Sequence, residues 1–398
     1  MADGSIVIET DLDNSGVKSG LSKLKGTVAK GVAALGIGTM FKKSMDVGSS
    51  FESAMSEVKA ISGASGKDFE KLTETAKEMG ASTKFSATES AEALKYMSMA
   101  GWDTKQMVSG LAGVMDLAAA SGESLGTVSD IVTDAMTAFG LEAKESTHFA
   151  DVLAKASSSS NTNVGMMGET FKYVAPIAGA MKYSVEDTAT AIGLMANAGI
   201  KGGEAGTALR SVLTRLVKPP KEAAEALDNL GISAKNSDGT MKPLREVLGD
   251  LREKFAGLDD SQKAQYAASI AGQEGMSGLL AIVNASEGDF QKLTNAIDNS
   301  KDAAKKQADT MNNNLKGAMC ELGSAAEAAG IEIYDGFKKP LTKMVKEGAK
   351  KIRGLATAIK ENEIESIVPD EVMNGVKNLG SIAKTVGGGG IKVLSKSV

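Results

Sequence analysis

The amino-acid sequence predicts a mainly α-helical protein, built from many short to medium amphipathic helices that end in glycine turns. Apolar residues recur three and four positions apart in successive segments, the spacing of one helix face. Glycine is frequent and proline scarce, 45 against 6 among 398 residues. Five glycines directly precede an apolar residue at the end of such a segment. They are Gly101-Trp102, Gly140-Leu141, Gly199-Ile200, Gly231-Ile232 and Gly330-Ile331. Glycine after a last helical turn adopts the left-handed conformation freely, and the apolar residue packs back onto the helix.

The N-terminal region predicts a short strand at Ile6–Ile8 and then an amphipathic helix. Its apolar stripe is heptad-like, with Val17, Leu21, Leu24 and Val28, and continues weakly through Val32 and Leu35. The most apolar stretch, Val28–Phe41, is too short to span a membrane and predicts a buried or interfacial helix. The first ten residues lack the basic start and apolar core of a secretory signal. The expected product is soluble and cytoplasmic.

Helix starts and interruptions are also marked. Ser86 with Glu89 forms a capping-box pattern, and Asp103 with Gln106 and Ser184 with Asp187 are looser forms of it. The polar run 157–163 predicts a mobile loop. Asp238-Gly239, between short extended pieces, predicts one small β-hairpin near 232–243. A final helix is expected from Phe337 to Ile359, and the Gly387–Gly390 run predicts a flexible tail.

Three regions follow from this pattern. Residues 1–50 hold the N-terminal strand and heptad-like helix, 51–350 a helical core, and 351–398 the end of the last helix and the tail. A faint repeat with an offset of about 78 residues relates Leu94–Met97 to Phe171–Val174. Duplicated helical hairpins and coincidence in an alanine-rich chain both account for it.

The composition argues against an enzyme. The chain has one histidine and one cysteine, too few for the common zinc sites. His148 is expected at a helix surface or boundary, and Cys320 is expected to be a buried small apolar residue. The Gly-rich segment 199–207 lacks the Gly-Lys-Ser/Thr ending of a phosphate-binding loop, which favours a helix–helix turn. We therefore expect no catalytic residue, no cofactor and no metal.

Charge gives little indication of nucleic-acid binding, because the net charge is only −5. One basic cluster stands out near the C-terminus. Its members are Lys338, Lys339, Lys343, Lys346, Lys350, Lys351 and Arg353. Nucleic-acid surfaces usually add aromatic residues, which this cluster does not. The pattern favours a solvated helix face and no specific nucleic-acid recognition.

The segment Leu227–Phe255, LDNLGISAKNSDGTMKPLREVLGDLREKF, resembles the core of the bacteriophage tail tape measure proteins. The shared pattern is a helix ending in Leu-Gly-Ile, a short Asp/Gly turn, and a Pro-Leu start to another amphipathic helix. Further similar stretches follow in the same order. They are Thr207–Leu227, Gln265–Asn284, Ser300–Met319, Ile331–Thr342 with Pro340, and upstream Phe51–Gly140. The resemblance covers roughly residues 5–350.

The resemblance implies a structural virion component of a phage or prophage tail. Proteins of this family occupy the lumen of the growing tail, set its length through their helical length, and are made in the bacterial host cytoplasm. Expected partners are further copies of the chain (a homo-oligomer with coiled-coil character), the tail tube protein, tail assembly chaperones, and distal tail or baseplate proteins. Fully helical, the chain would reach about 600 Å, but its broken helices resemble the family's shared domain more than a ruler.

Two other classes of function stay open at this stage. Close approach of Ala/Gly-rich helices also suits a membrane-active protein, with Val28–Phe41 making transient membrane contact during genome delivery. An enzyme with an unrecognised site is the third alternative, and the single histidine argues against it.

Overall fold

The computed structural model describes residues 37–360, apart from several side chains near both ends of that range. The chain divides into two compact units between Tyr334 and Asp335. The helices are α1 (Ile37–Ser62), α2 (Lys67–Ser82), α3 (Ala87–Met99), α4 (Thr104–Ser121), α5 (Leu125–Phe139), α6 (Ser146–Ser159), α7 (Val164–Ala180), α8 (Val185–Asn197), α9 (Gly202–Val217), α10 (Lys221–Leu230), α11 (Leu244–Ala256), α12 (Asp260–Asn284), α13 (Glu287–Asp298), α14 (Ala303–Asn312) and α15 (Leu315–Lys360), with a short 3₁₀ helix at Ala143–Glu145. The mainly helical prediction is confirmed.

The helices of the first unit stack in two layers. In layer A, each of α1, α3, α5, α7, α9 and α12 packs on the next. In layer B, α2, α4, α6, α8 and α13 follow one another in the same way, and α14 lies on α4 and α6. The core between the layers is made mostly of Leu, Val, Ile, Met and Ala, with Phe149 and Phe171 among its largest fully buried side chains. Helix pairs that contact mainly their neighbours are the construction of a helical solenoid.

Four of the five predicted glycine stops are confirmed. Gly101, Gly140, Gly199 and Gly231 all have φ between 68° and 93°. At Gly140, the backbone N–H of Leu141 donates to Met136 O at 2.9 Å and that of Gly140 to Thr137 O at 3.1 Å. This pair of bonds defines the Schellman motif, and the same pair occurs at the other three glycines.

The predicted stop at Gly330 is wrong, since α15 continues through it without a break. A Cβ on Gly330 would lie 3.7 Å from Ser44 Cα on α1. This is an ordinary contact distance, so Gly330 packs beside α1 inside a continuing helix and does not end one.

One helix end was not predicted because a lysine occupies the left-handed position. Helix α7 ends in the same Schellman bonds at Lys182, whose φ is 58°. Tyr183 then takes the place of the apolar residue that packs back, and it is buried.

The predicted β-hairpin near 232–243 is also wrong. In the described part of the chain this segment forms a turn with one isolated antiparallel bridge, between Lys235 and Met241. Two backbone bonds cross the turn, from Asn236 N–H to Thr240 O and from Lys242 N–H to Ala234 O. The N–H of Thr240, which a ladder would pair with Asn236 O, donates to the Asp238 carboxylate instead. The Ser233 hydroxyl accepts from the N–H of Lys235. Such local bonds compete with strand pairing.

The polar run 157–163 is shorter as a loop than predicted. Helix α6 continues to Ser159, and within it the hydroxyls of Ser157 and Ser158 donate back to Ala154 O. The remaining connection is fixed at Asn161, whose N–H donates to Asn197 Oδ1 at 2.8 Å. The capping boxes at Ser86/Glu89 and Asp103/Gln106 are confirmed.

Helix α12 is kinked at Gly272, whose φ of 73° and ψ of 173° interrupt the helical bonding. Side chains of α9 bind the carbonyls next to the kink. Arg215 donates to Ser269 O and Ile270 O, both at 3.0 Å, and Ser211 donates to Ala271 O at 2.8 Å. The kink is thus fixed by the neighbouring helix of layer A.

Several predicted elements lie outside the described residues. They are the strand at Ile6–Ile8, the stripe from Val17 to Leu35, the part of Val28–Phe41 before Ile37, and the Gly387–Gly390 run. Ile37–Phe41 lies in α1.

Candidate interaction surfaces

The residues that sequence analysis weighed for chemistry are scattered. His148 is exposed on α6, and its Nε2 lies 2.7 Å from Glu186 Oε1 on α8. The prediction that Cys320 is buried is wrong, because it is exposed on α15. Across residues 37–360, no group of three or more His, Cys, Asp or Glu side chains is placed to hold a metal ion.

The Gly-rich segment 199–207 is a helix–helix turn, as predicted. Gly199 ends α8, and Gly202, with a φ of 58°, begins α9. Thr170 on α7 donates to the carbonyl of Gly202 at 2.9 Å. The segment joins layer B to layer A.

Layer A contains a contact that occurs twice and that we call the lysine–tyrosine device. Lys95 on α3 bonds to Glu57 on α1 at 3.0 Å, and Tyr96 lies against Gly126 of α5. Seventy-seven residues later, Lys172 on α7 lies 3.2 Å from Asp130 on α5, and Tyr173 lies against Gly203 and Gly206 of α9. Each lysine pairs with a carboxylate on the preceding helix of layer A. Each tyrosine packs against glycine on the following helix of the same layer.

This device favours duplication over coincidence for the repeat seen in the sequence. The N-caps of α3, α5, α7 and α9 are Ser86, Ser124, Asn163 and Lys201, which are 38, 39 and 38 residues apart. One helical hairpin thus takes about half of the 78-residue offset. That length is close to the helical repeats of known solenoids.

The buried carboxylate of Asp151 connects α14 to helix α6 of layer B. Asp151 of α6 is 4% exposed and accepts from the backbone N–H groups of Asp302 at 2.8 Å and Ala304 at 3.0 Å. These N–H groups begin α14, whose own N-cap residue makes no side-chain cap. Asp151 therefore caps α14 from another helix. Asp116 on α4 lies near the Asp151 carboxylate, and burial raises the pKa of Asp116.

Replacing Asp151 by alanine is expected to lower the free energy of unfolding by about 2 kcal/mol, the upper range for a lost N-cap. Two buried N–H groups lose their acceptor, so α14 should exchange its amide hydrogens faster than α6. Urea denaturation and hydrogen exchange measure the two effects. Asp130→Ala, at a half-buried position, breaks only the ion pair with Lys172. It is the matched control and should cost less than about 1 kcal/mol. Equal losses in the two variants would contradict the capping role.

The basic cluster lies on the later part of α15, in the second unit. Among its described side chains, Lys339, Lys343, Lys346, Lys350 and Arg353 are exposed and Lys338 is half-buried. Exposed positions on one helix agree with the solvated face predicted for them.

The first part of α15, within the first unit, carries exposed apolar residues that we call the α15 stripe. Its members are Leu315, Met319, Leu322, Ala326, Ala329 and Ile333. Their spacing of four, three, four, three and four positions places them on one helix face. The other side of this part of α15 contacts the start of the stack. Glu327 accepts from the N–H and hydroxyl of Thr88, and Ser324 donates to Lys84 O.

Within residues 37–360, no helix has the length and apolar character needed to cross a membrane.

A two-layer stack of helices, joined by close glycine contacts and followed by a long helix with an exposed apolar stripe, is the architecture of a helical solenoid protein. A family model described as phage-related minor tail protein matches residues 73–272, just over half of the chain. The chain belongs to that family, and a structural role in a phage tail follows. The matched region runs from α2 to the kink of α12.

The chain is also similar to curated phage proteins. It is 39% identical over 302 residues to the tape measure protein of Pneumococcus phage Dp-1, covering 76% of this chain and 26% of that protein. It is 28% identical over 367 residues to the probable tape measure protein of Escherichia phage P2, covering 91% and 45%. The probable tape measure protein of Clostridium phage phiCD119 is 23% identical over 370 residues, covering 91% and 38%. The chain thus spans between a quarter and a half of these relatives. No solved structure matches it.

Proposed function

We propose that this chain acts in the tail as tape measure proteins are expected to act, occupying the tail lumen during assembly and helping to set tail length. The observation that carries the proposal is the similarity to three proteins with that name, which covers 76% to 91% of the chain. Residues 37–360 hold no feature that favours the membrane-active alternative.

The two-layer stack and helix α15 would contribute differently to tail length. The two-layer stack folds back on itself at every hairpin, so adding residues there adds little distance along one axis. Helix α15 has 46 residues, and each residue of a helix adds about 1.5 Å of length. We infer that the stack is an assembly domain and that length is carried by extended helices such as α15. The relatives contain further sequence that would extend the same principle.

The proposed partners follow from a position in the lumen. The chain would contact the tail tube protein around it, tail assembly chaperones before the tube forms, and distal tail or baseplate proteins at one end. Several copies would lie side by side as a homo-oligomer. Synthesis would take place in the host cytoplasm.

The test uses the phage or prophage that encodes the chain. Removing its gene is expected to abolish tails of normal length, and the wild-type gene supplied in trans is expected to restore them. Duplicating residues 333–360 in tandem adds 28 helical residues, which should lengthen tails by about 42 Å at the helical rise. Electron microscopy of purified particles gives both results.

An insertion of 28 Gly/Ser residues at the same place is the control, since a flexible linker has no fixed length. Normal tails in the absence of the gene would overturn the tail role altogether. If the gene deletion abolishes normal tails but the duplication of residues 333–360 leaves tail length unchanged, only the measuring role of α15 would be overturned.

A further inference from the structure

The α15 stripe faces away from the rest of the first unit. Ser324 and Ile331 are buried, and Ser324 donates to Lys84 O between α2 and α3. At about 100° of rotation per residue, these two residues lie on the side of the helix opposite the stripe. Three large members of the stripe are 78%, 64% and 71% exposed, namely Leu315, Met319 and Leu322. The outer face of an element that covers the end of a solenoid is usually polar, so an apolar one marks an interaction site.

The stripe is also symmetric about Ser324. Its members lie in pairs at two, five and nine residues on either side, which are Leu322 and Ala326, Met319 and Ala329, and Leu315 and Ile333. If two copies of the helix pack antiparallel around a twofold axis at Ser324, the members of each pair face one another across the contact. Leucine and methionine in the middle of the stripe then face alanine, and large against small fills the space between two helices. A parallel pair would set alanine against alanine and leave those layers unfilled.

The alanine half of the stripe forms one wall of a groove against α1. The groove has a volume of about 570 Å³, and its lining includes Val47 of α1 together with Ala326 and Ala329. In the antiparallel pair, Met319 and Leu322 of the second copy enter this part of the contact. Projection and recess thus belong to one surface, as an interface between identical copies requires.

The charges along this part of α15 also favour the antiparallel arrangement. In a parallel pair, each of the four charged residues of 315–333 would stand level with its own copy. In the antiparallel pair Lys316 stands level with Glu332, since each lies eight residues from the axis, and only Glu321 and Glu327 remain level with a like charge. Glu327 is turned to the stack, as described above, and Glu332 is 2.8 Å from Lys77 of its own chain. Electrostatics therefore helps to select the orientation, and the apolar contacts supply the attraction.

We propose that the α15 stripe is a self-association surface, through which two copies of this chain form an antiparallel dimer with its twofold axis at Ser324. The contact itself is a property of the free chain. Its place in assembly rests on the proposed function. A twofold axis points the two copies in opposite directions, whereas a tail has two different ends, so the dimer is the form of the chain before it enters a tail.

The first test is the mass of the purified full-length chain in solution. Sedimentation velocity over a range of concentrations should show a species of twice the 40.9 kDa of one chain. Leu322→Asp puts an unpaired charge into the contact from each copy and should raise the dissociation constant by about tenfold or more. Cys320→Asp is the matched control, because it adds the same charge at an exposed position beside the stripe, and it should change the constant much less. Circular dichroism checks that both variants keep their helices.

The second test reads the orientation from disulfide formation. Met319→Cys and Ala329→Cys are made separately, each with Cys320→Ser so that no other thiol is present. In the antiparallel pair the two copies of either position are ten residues apart along the helix, about 15 Å, which is too far for a disulfide. Position 319 of one copy faces position 329 of the other. In a thiol–disulfide buffer, the mixture of both variants should therefore form a disulfide-linked dimer, and either variant alone should form little.

Each contrary result is distinct. A chain that stays monomeric at every concentration would overturn the proposal, and so would a dimer that Leu322→Asp weakens no more than Cys320→Asp does. Disulfides that form as readily in one variant alone as in the mixture would show a parallel contact, and assemblies of three or more copies would contradict the twofold pairing. None of these results bears on the role in the tail, which deletion of the gene tests separately.

Discussion

Replacing Arg252 by alanine is expected to lower the free energy of unfolding by about 4 kcal/mol, the range for breaking a buried charged network. Arg252 of α11 is 8% exposed, and its Nη1 donates at 2.8 Å to both Ile282 O and Ala285 O. These carbonyls belong to the C-terminal end of α12, where helical carbonyls lack partners. The guanidinium also lies over the Phe290 ring, 4.5 Å from its centroid. One side chain thus joins α11, α12 and α13.

The control separates the carbonyl bonds from the ion pair. Arg252 Nη2 lies 3.2 Å from Glu287 Oε2, but the Glu287 side chain is 72% exposed. Glu287→Ala should therefore lower the free energy of unfolding far less than Arg252→Ala does, because exposed ion pairs contribute little. Urea denaturation of both variants gives the comparison. A loss in Glu287→Ala as large as that in Arg252→Ala would show that the ion pair, and not the capping of α12, holds these helices together.

The helix ends were largely predictable because their signals are local. A Schellman motif at Gly140 or a capping box at Ser86 depends on residues within one turn of each other, so the sequence pattern contains the whole interaction. The sequence signal for a helix end fails at Lys182, because a lysine there occupies the left-handed position that glycine usually takes. It also fails at Gly330, where the helix continues through a glycine that precedes an apolar residue. The β-hairpin predicted near 232–243 was wrong for a related reason. Ser233 and Asp238 suit turns as well as strand ends, so their presence did not indicate which of the two forms.

The contacts between helices were not predictable from one sequence. Asp151 and Arg252 are ordinary charged residues at helical positions, and their importance comes from N–H groups 151 and 153 residues away and carbonyls 30 and 33 residues away. The lysine–tyrosine device was visible only as a faint repeat. Its meaning depends on the two-layer stack, which places Tyr96 beside Gly126 and Tyr173 beside Gly203. The α15 stripe was detectable by spacing, but its exposure was not.

Glycines that no stop signal marked carry the tightest packing, and Gly179→Ala is expected to lower the free energy of unfolding by about 3 kcal/mol, as for an overpacked core site. Gly179 lies in the last turn of α7, where a Cβ would stand 2.2 Å from the carbonyl oxygen of Ala138 and 2.7 Å from Phe139 Cα. These are backbone atoms at the end of α5, so no side-chain rotation relieves the clash. Helices α5 and α7 must separate, which opens layer A at the contact between its third and fourth helices.

Gly249→Ala is the matched control, because Gly249 is also a helical glycine and nothing lies within 4 Å of the Cβ it would gain. There the better helix propensity of alanine should raise stability by about 0.5–1 kcal/mol. The two substitutions add the same atom and should shift the urea midpoint in opposite directions. If Gly179→Ala raised the midpoint as Gly249→Ala does, α5 and α7 would not pack as closely as described, and the continuous layer A on which the solenoid interpretation depends would fail at its centre.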